Sequence, residues 1–200
     1  DPVGGMTGMT GSRRAATTAA SVAAAAALAL TGCAGGSGTS TAPGPTGSPS
    51  PPTAHFSAGG VDVSLTVVSW DGDSGTLSVR FTPLKPTYHL YSITLPPGGV
   101  DGVGRPTAVG LRGALAATGR LTTTAPLRPL RLPGVAQPLE VYPDGPLTAT
   151  LPIRRSGQGE AVALVSYAAC SETYGCQIPV ADHRVDLAVR SSSISLDAAG

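Results

Sequence analysis

Apolar and polar residues alternate with period two along much of this chain. Val61, Val63, Leu65 and Val67 alternate with Asp62, Ser64 and Thr66, the pattern of a strand with one buried and one wet face. Asp71-Gly72-Asp73-Ser74-Gly75 supplies turn residues, and Leu77, Val79 and Phe81 resume the alternation. The pair reads as a hairpin. Residues 88–95 form the next predicted strand, stopped by Pro96-Pro97-Gly98-Gly99. Residues 107–111, 120–124 and 139–142 carry weaker strand signals. Residues 147–153, the apolar run 161–167 and residues 184–189 complete the set. Residues 126–138 contain Pro126, Pro129, Pro133 and Pro138 and read as a long surface loop. No helical period is present beyond residue 54. Seven to nine short strands separated by turns predict an all-β domain, a β-sandwich over residues 54–200. That length is enough for one such core.

The N-terminal pattern is different. Arg13 and Arg14 precede a stretch, residues 15–30, that is apolar or small throughout, with Val22, Leu28 and Leu30. A basic start, a short apolar run and a small-residue site make a bacterial secretion signal. The run is too short and too Ala-rich for a membrane span of about 20 residues. The segment Leu30-Thr31-Gly32-Cys33 resembles the lipobox of bacterial lipoproteins. That resemblance implies removal of residues 1–32 and consumption of the Cys33 thiol as a lipid thioether. The Arg13-Arg14 pair also permits twin-arginine export, and Met6 and Met9 are more natural starts than Asp1. Residues 33–53 are nearly all Gly, Ser, Thr, Pro and Ala. They cannot bury enough apolar area to offset their ordering entropy. They read as a tether spanning about 25 Å if flexible. The expected arrangement is a domain held by an N-terminal lipid at the extracytoplasmic face of the cell membrane.

Composition narrows the function classes. The chain has 27 Gly and 19 Pro, an excess that the tether and the turns absorb. Charged residues are only 12% and the formal net charge is +1. Without Arg13, Arg14 and Asp1, the 13 basic and 12 acidic residues become 11 and 11. No basic stripe exists to release counterions from a phosphate backbone, which argues against nucleic-acid binding. His55, His89 and His183 are scattered without metal-ligand spacing, so surface or packing roles are expected. A copper or zinc site using His89 or His183 with reduced cysteines is the minor alternative. Gly98-Gly99 and Gly102-x-Gly104 sit in a Pro-flanked loop and read as turns, not as a phosphate cradle. Neither a cofactor nor a metal is expected, and nothing in the chain signals an oligomer, so a monomer is expected.

The chemistry rests on Cys170 and Cys176. Cys170 ends the strand of residues 161–167, and Ser171-Glu172-Thr173-Tyr174-Gly175 between the two is turn-like. A hairpin brings its flanks within reach of a disulfide, and an exported protein keeps such a bond. Closing a loop of about seven residues stabilises a fold by only about 2–2.5 kcal/mol. Exchange, for its part, requires an accessible sulfur and a thiolate. The residues alone leave a structural and an exchangeable bond both open. Glu172 within the loop reads as a solvated carboxylate.

Tyr167-Ala168-Ala169-Cys170, five residues, then Cys176-Gln177-Ile178-Pro179 resembles the N-terminal periplasmic domain of the thiol:disulfide interchange protein DsbD. Tyr88-His89-Leu90-Tyr91 resembles that family's aromatic strand. Leu139-Glu140-Val141-Tyr142 with residues 147–153 resembles the segment leading to its penultimate strands. The similarity runs from about His55 to Val189 in the family's order. It implies an immunoglobulin-like β-sandwich and a Cys170/Cys176 redox pair. By this resemblance, Cys176 forms the mixed disulfide and Cys170 resolves it. Tyr88, Tyr91 and Tyr167 then become candidate residues lining the site. The partners implied are thioredoxin-like or other extracytoplasmic thiol proteins, and the activity is that of a protein-disulfide reductase component.

Two departures qualify the likeness. The family covers its cysteines with a cap loop bearing acidic residues and an aromatic ring. The matching residues 127–139 contain neither Phe nor an acid, leaving Leu130 or Leu132 to cover the sulfurs. The family's membrane-spanning and thioredoxin-like parts have no counterpart here, so a separate electron donor is expected. The competing expectation is a non-enzymatic binding or adaptor lipoprotein whose disulfide is a staple.

Overall fold

The computed structural model describes residues 50–196. The signal segment 1–32, Cys33 and the tether up to residue 49 lie outside the described residues. Among the described residues there are fourteen strands and no helix.

The first sheet has the order β1 (Thr53–Ala58), β2 (Val61–Trp70), β3 (Ser74–Pro83), β9 (Leu147–Arg155) and β6 (Leu115–Ala117). The second has the order β14 (Ile194–Leu196), β13 (Val180–Val189), β10 (Gly159–Tyr167) and β5 (Ala108–Gly113). All these neighbours are antiparallel.

Period-two alternation decides what each strand buries. Val61, Val63, Leu65 and Val67 of β2 point inward, as do Leu77, Val79 and Phe81 of β3 and Leu147, Ala149, Leu151 and Ile153 of β9. Ala161, Ala163, Val165 and Tyr167 of β10 and Val185, Leu187 and Val189 of β13 face them from the second sheet. Apart from Ala149, these side chains form one continuous core. The Phe81 and Tyr167 rings meet edge to face across it, with centroids 5.4 Å apart. Each fully buried large apolar side chain contributes about 1.5–3 kcal/mol relative to exposure. Two antiparallel sheets sharing one core without closing make an open, immunoglobulin-like sandwich.

The chain passes from the second sheet to the first just after Gly113, the last residue of β5. Its φ is 80°, and a Cβ there would sit 2.5 Å from the Glu160 carbonyl oxygen. Both facts select glycine. The hairpin between β2 and β3 is closed by Asp71. Its carboxylate accepts the backbone N–H groups of Ser74 and Asp73 and the Ser74 hydroxyl, which lowers its pKa from 3.8 to about 2.

Several elements differ from the sequence expectation. The strand expected over 88–95 shrinks to β4 (His89–Leu90) plus a bridge from Tyr91 to Val141. Ser92 ends it, because its hydroxyl accepts the Thr94 N–H and its carbonyl accepts the Leu95 N–H, a local turn that competes with the ladder. Residues 120–124 reduce to a single bridge between Thr122 and Thr150. The expected surface loop 126–138 instead begins with β7 (Arg128–Leu130), which pairs with β8 (Leu139–Val141). Pro129 is tolerated because β7 is an edge strand.

The remaining strands, β11 (Ala169–Ser171) and β12 (Gly175–Cys176), complete a small sheet of order β12-β11-β4. The Tyr91–Val141 bridge joins this sheet to the β7–β8 hairpin. Beneath them Tyr91, Leu95, Leu130, Leu139, Val141, Ala168 and Cys170 form a second apolar cluster, separate from the main core.

Candidate functional site

Cys170 and Cys176 are disulfide-bonded. They face each other directly across β11 and β12. The Gln177 N–H donates to the Ala169 carbonyl, so Ala169 and Gln177 occupy a hydrogen-bonded position of the ladder. Cys170 and Cys176 therefore fall at the narrow, non-hydrogen-bonded position beside it, where side chains come closest. Three residues, Glu172-Thr173-Tyr174, close the hairpin. The Ser171 hydroxyl accepts the N–H groups of Thr173 and Tyr174. Gly175, with φ 74°, supplies the left-handed residue that returns the chain.

The two sulfurs have unequal surroundings. Cys170 is 4% exposed and belongs to the second apolar cluster. Cys176 lies on the outer strand of its sheet and is exposed. The Tyr91 hydroxyl donates to the Cys170 sulfur at 3.3 Å and lies 4.0 Å from that of Cys176. Burial raises the Tyr91 pKa, which keeps this donor protonated. A cavity of about 220 Å³ lies over the bond, bordered by His89, Tyr91, Leu130, Leu132, Glu172 and both cysteines. Leu130 and Leu132 thus stand at the place where a cap is expected, carried there by β7 and the residues after it. The loop beyond is tied down where Asp101 accepts the Ala136 N–H at 2.8 Å.

Polar groups ring the same end. Arg128 of β7 forms ion pairs with Glu172 at 2.9 Å and Asp144 at 3.2 Å. It thereby links the cap strand to the cysteine loop. His89 is 1% exposed, and its backbone pairs with that of Cys170 across β4 and β11. Its Nδ1 lies 3.3 Å from the Asp144 carboxylate and 3.5 Å from the Arg128 guanidinium. Its Nε2 is buried without a partner. Burial lowers the His89 pKa, with help from Arg128 and against the pull of Asp144.

The structure sorts the other expected residues. Tyr88 is buried in the main core, and its hydroxyl accepts from the Gln177 side chain at 2.9 Å. It anchors the segment that follows Cys176 rather than bordering the cavity. Tyr167 also belongs to the main core, where its hydroxyl donates to the Ala58 carbonyl. It borders no part of the cavity, because the chain reverses its facing between Tyr167 and Cys170. Cys33 lies outside the described residues. His55 is exposed on β1, and His183 stacks on Phe56 with ring centroids 3.7 Å apart. Neither joins the sulfurs. His89, expected in a surface or packing role, instead sits beside Cys170. The signal for it was its place in Tyr88-His89-Leu90-Tyr91, one strand from the cysteines. Among the described residues no cluster of three or more His, Cys, Asp or Glu side chains is arranged to hold a metal.

The fold and site together define a class: an open β-sandwich carrying a capped disulfide at one end. No family model matches this chain, and no curated protein matches it. Among solved structures, the N-terminal domain of DsbD from Neisseria meningitidis in the reduced form is similar, with 14% identity and a TM-score of 0.41. The alignment covers 68% of this chain and 88% of that one. At that identity and score the likeness carries no functional argument.

Proposed function

We propose that this protein is a thiol–disulfide interchange domain whose redox pair is Cys170 and Cys176. One observation carries the reading: the disulfide joins a buried sulfur that receives the Tyr91 hydroxyl to an exposed sulfur on an edge strand. A staple needs neither the asymmetry nor the donor. It also gains little from so short a loop, about 2–2.5 kcal/mol.

The chemistry follows from that asymmetry. A partner thiolate attacks the exposed Cys176 sulfur in line with the S–S bond. A partner–Cys176 bond forms, the Cys170–Cys176 bond breaks, and the electron pair leaves on the Cys170 sulfur. The Tyr91 hydroxyl stabilises that developing thiolate. A second partner thiol then attacks the partner sulfur of the mixed disulfide. It leaves with a disulfide, and this chain keeps two thiols and two electrons. The reverse sequence passes those electrons onward. Thioredoxin-like proteins and other extracytoplasmic thiol proteins are the partners in this reading. The lipobox-like segment ending in Cys33 supports a lipid anchor, with the domain on its tether at the extracytoplasmic face of the membrane.

Equilibration of the purified protein across glutathione ratios, followed by thiol trapping, tests the reading. A potential within the range of exchanging pairs is expected. A potential far below about −300 mV identifies an inert bond and favours the adaptor alternative. A Cys170→Ser variant is expected to accumulate a mixed disulfide through Cys176 in cells, and its absence counts against exchange.

A further inference from the structure

His89 is a buried ionisable group at this end of the molecule that the exchange steps above leave unused. Its backbone is paired with that of Cys170 on adjacent strands, so the two side chains leave the same face of the sheet. Both border the same cavity as Cys176. The two ring nitrogens have different surroundings. Nδ1 lies 3.3 Å from the Asp144 carboxylate and 3.5 Å from the Arg128 guanidinium, and Nε2 is buried with no hydrogen-bond partner. Leaving such a group unsatisfied is unfavourable. A carboxylate on one nitrogen and a free second nitrogen is the arrangement of an oriented base beside a nucleophile.

We infer that His89, oriented by Asp144, is the acid–base partner of Cys170. This rests on the exchange reading and names how its proton is handled. In the tautomer that turns an Nδ1 proton toward Asp144, instead of accepting from Arg128 at Nδ1, Nε2 carries a lone pair. In the resolving step the Cys170 thiol gives its proton to Nε2. The Cys170 thiolate attacks Cys176 in the mixed disulfide, the Cys170–Cys176 bond forms, and the Cys176–partner bond breaks. The electron pair leaves on the partner sulfur, and the imidazolium releases its proton to that thiolate or to water. In the opposite direction His89 returns a proton to Cys170 as it departs.

The groups facing His89 set the balance. Arg128 of β7 disfavours the imidazolium, and Asp144 and Glu172 favour it. The Tyr91 ring stands edge-on to the imidazole, with centroids 6.0 Å apart, and stays neutral. In the disulfide form no anion stands at position 170, and His89 remains neutral. In the reduced form a Cys170 thiolate adds a negative charge beside it, and the two groups titrate as a coupled pair.

The experiment is a nitrogen-15 titration of the His89 imidazole in the native full chain, once oxidised and once reduced with tris(2-carboxyethyl)phosphine, with full reduction checked by thiol trapping. Reduction is expected to raise the His89 apparent pKa by about one unit or more, a tenfold change in proton affinity. The rise is expected to vanish when Cys170→Ser is combined with Cys176→Ser. In a Cys176→Ser background, His89→Gln is expected to move thiolate formation at Cys170, followed by ultraviolet absorbance, at least one unit higher. An imidazole titration that is the same in both redox states overturns the inference, and it does so whether or not His89→Gln folds. A very low redox potential, by contrast, defeats the exchange reading and leaves this titration unaffected, so the two failures are distinguishable.

Discussion

The two ends of this domain are built from the same alternating strands and put to different uses. Between the large sheets, Leu65, Leu77, Val79, Phe81, Ala163, Val165 and Val185 are fully buried and touch apolar neighbours on every side. Around the cysteines the buried set is small and mixed: Tyr91, Leu130, Leu139, Val141 and Ala168, with a sulfur, a phenol and an imidazole among them. The first region gains stability from redundancy, since many side chains share the burial. The second gives up some of that burial to keep polar atoms close to a bond that can be broken. Apolar burial therefore concentrates away from the disulfide.

That contrast can be broken at several points. The largest expected effect is in the main core. Phe81→Ala should cost about 3–5 kcal/mol, read as a lowered urea midpoint, with little change in cysteine reactivity measured at full folding. Replacing both Cys170 and Cys176 by Ser should cost only about 2–2.5 kcal/mol and leave a cooperative transition. Collapse of the sandwich in that variant would show that the bond holds the fold. Tyr91→Phe removes a hydrogen bond worth about 1 kcal/mol. It should lower stability by about that amount and, measured at full folding, slow reduction of the disulfide by dithiothreitol about fivefold. An unchanged rate would mean that the hydroxyl merely fills space. Arg128→Met unties the cap strand from Glu172 and Asp144. Partly exposed ion pairs contribute at most about 1 kcal/mol, so the expected result is a small loss of stability with faster reduction of the bond.

The smallest expected effect is on the pH dependence of stability. Burial lowers the pKa of both His89 and His183. The unfolded chain therefore takes up protons first as pH falls. The stability associated with neutral imidazoles is fully present above about pH 6.5 and is lost as pH falls toward the folded-state values. His89→Gln should remove its share of that loss, seen as a smaller drop in melting temperature between neutral and mildly acid pH. An unchanged drop would place the whole dependence on His183 and the carboxylates.

The sandwich was legible because one face of each long strand is buried and period two records it. The hairpin of β2 and β3, the strands β9, β10 and β13, and the location of the core all follow from alternation. The cap was not legible, because three-residue strands such as β7 carry too few positions to show a period. Pro129 and its proline neighbours also signalled a loop. Leu130 and Leu132 were nevertheless named as cover for the sulfurs, and both border the cavity. The cysteine pairing was open to a hairpin argument, whereas His89 was not. Its importance arises from register between strands β4 and β11, nearly eighty residues apart in the chain, and no local pattern encodes that. Tyr167 shows the opposite case. Three residues before Cys170 is near in sequence, yet it places the ring in the other core.

The β1–β2 turn has a geometric consequence. Gly59 and Gly60 lie against Gln177, Ile178 and Val180, just beyond Cys176. Strand β1 runs from there back to Thr53, so the chain enters the domain about 20 Å from the turn, at 3.3 Å per residue over six residues. Thr53 therefore stands at the heel of the sandwich and the sulfurs near its toe.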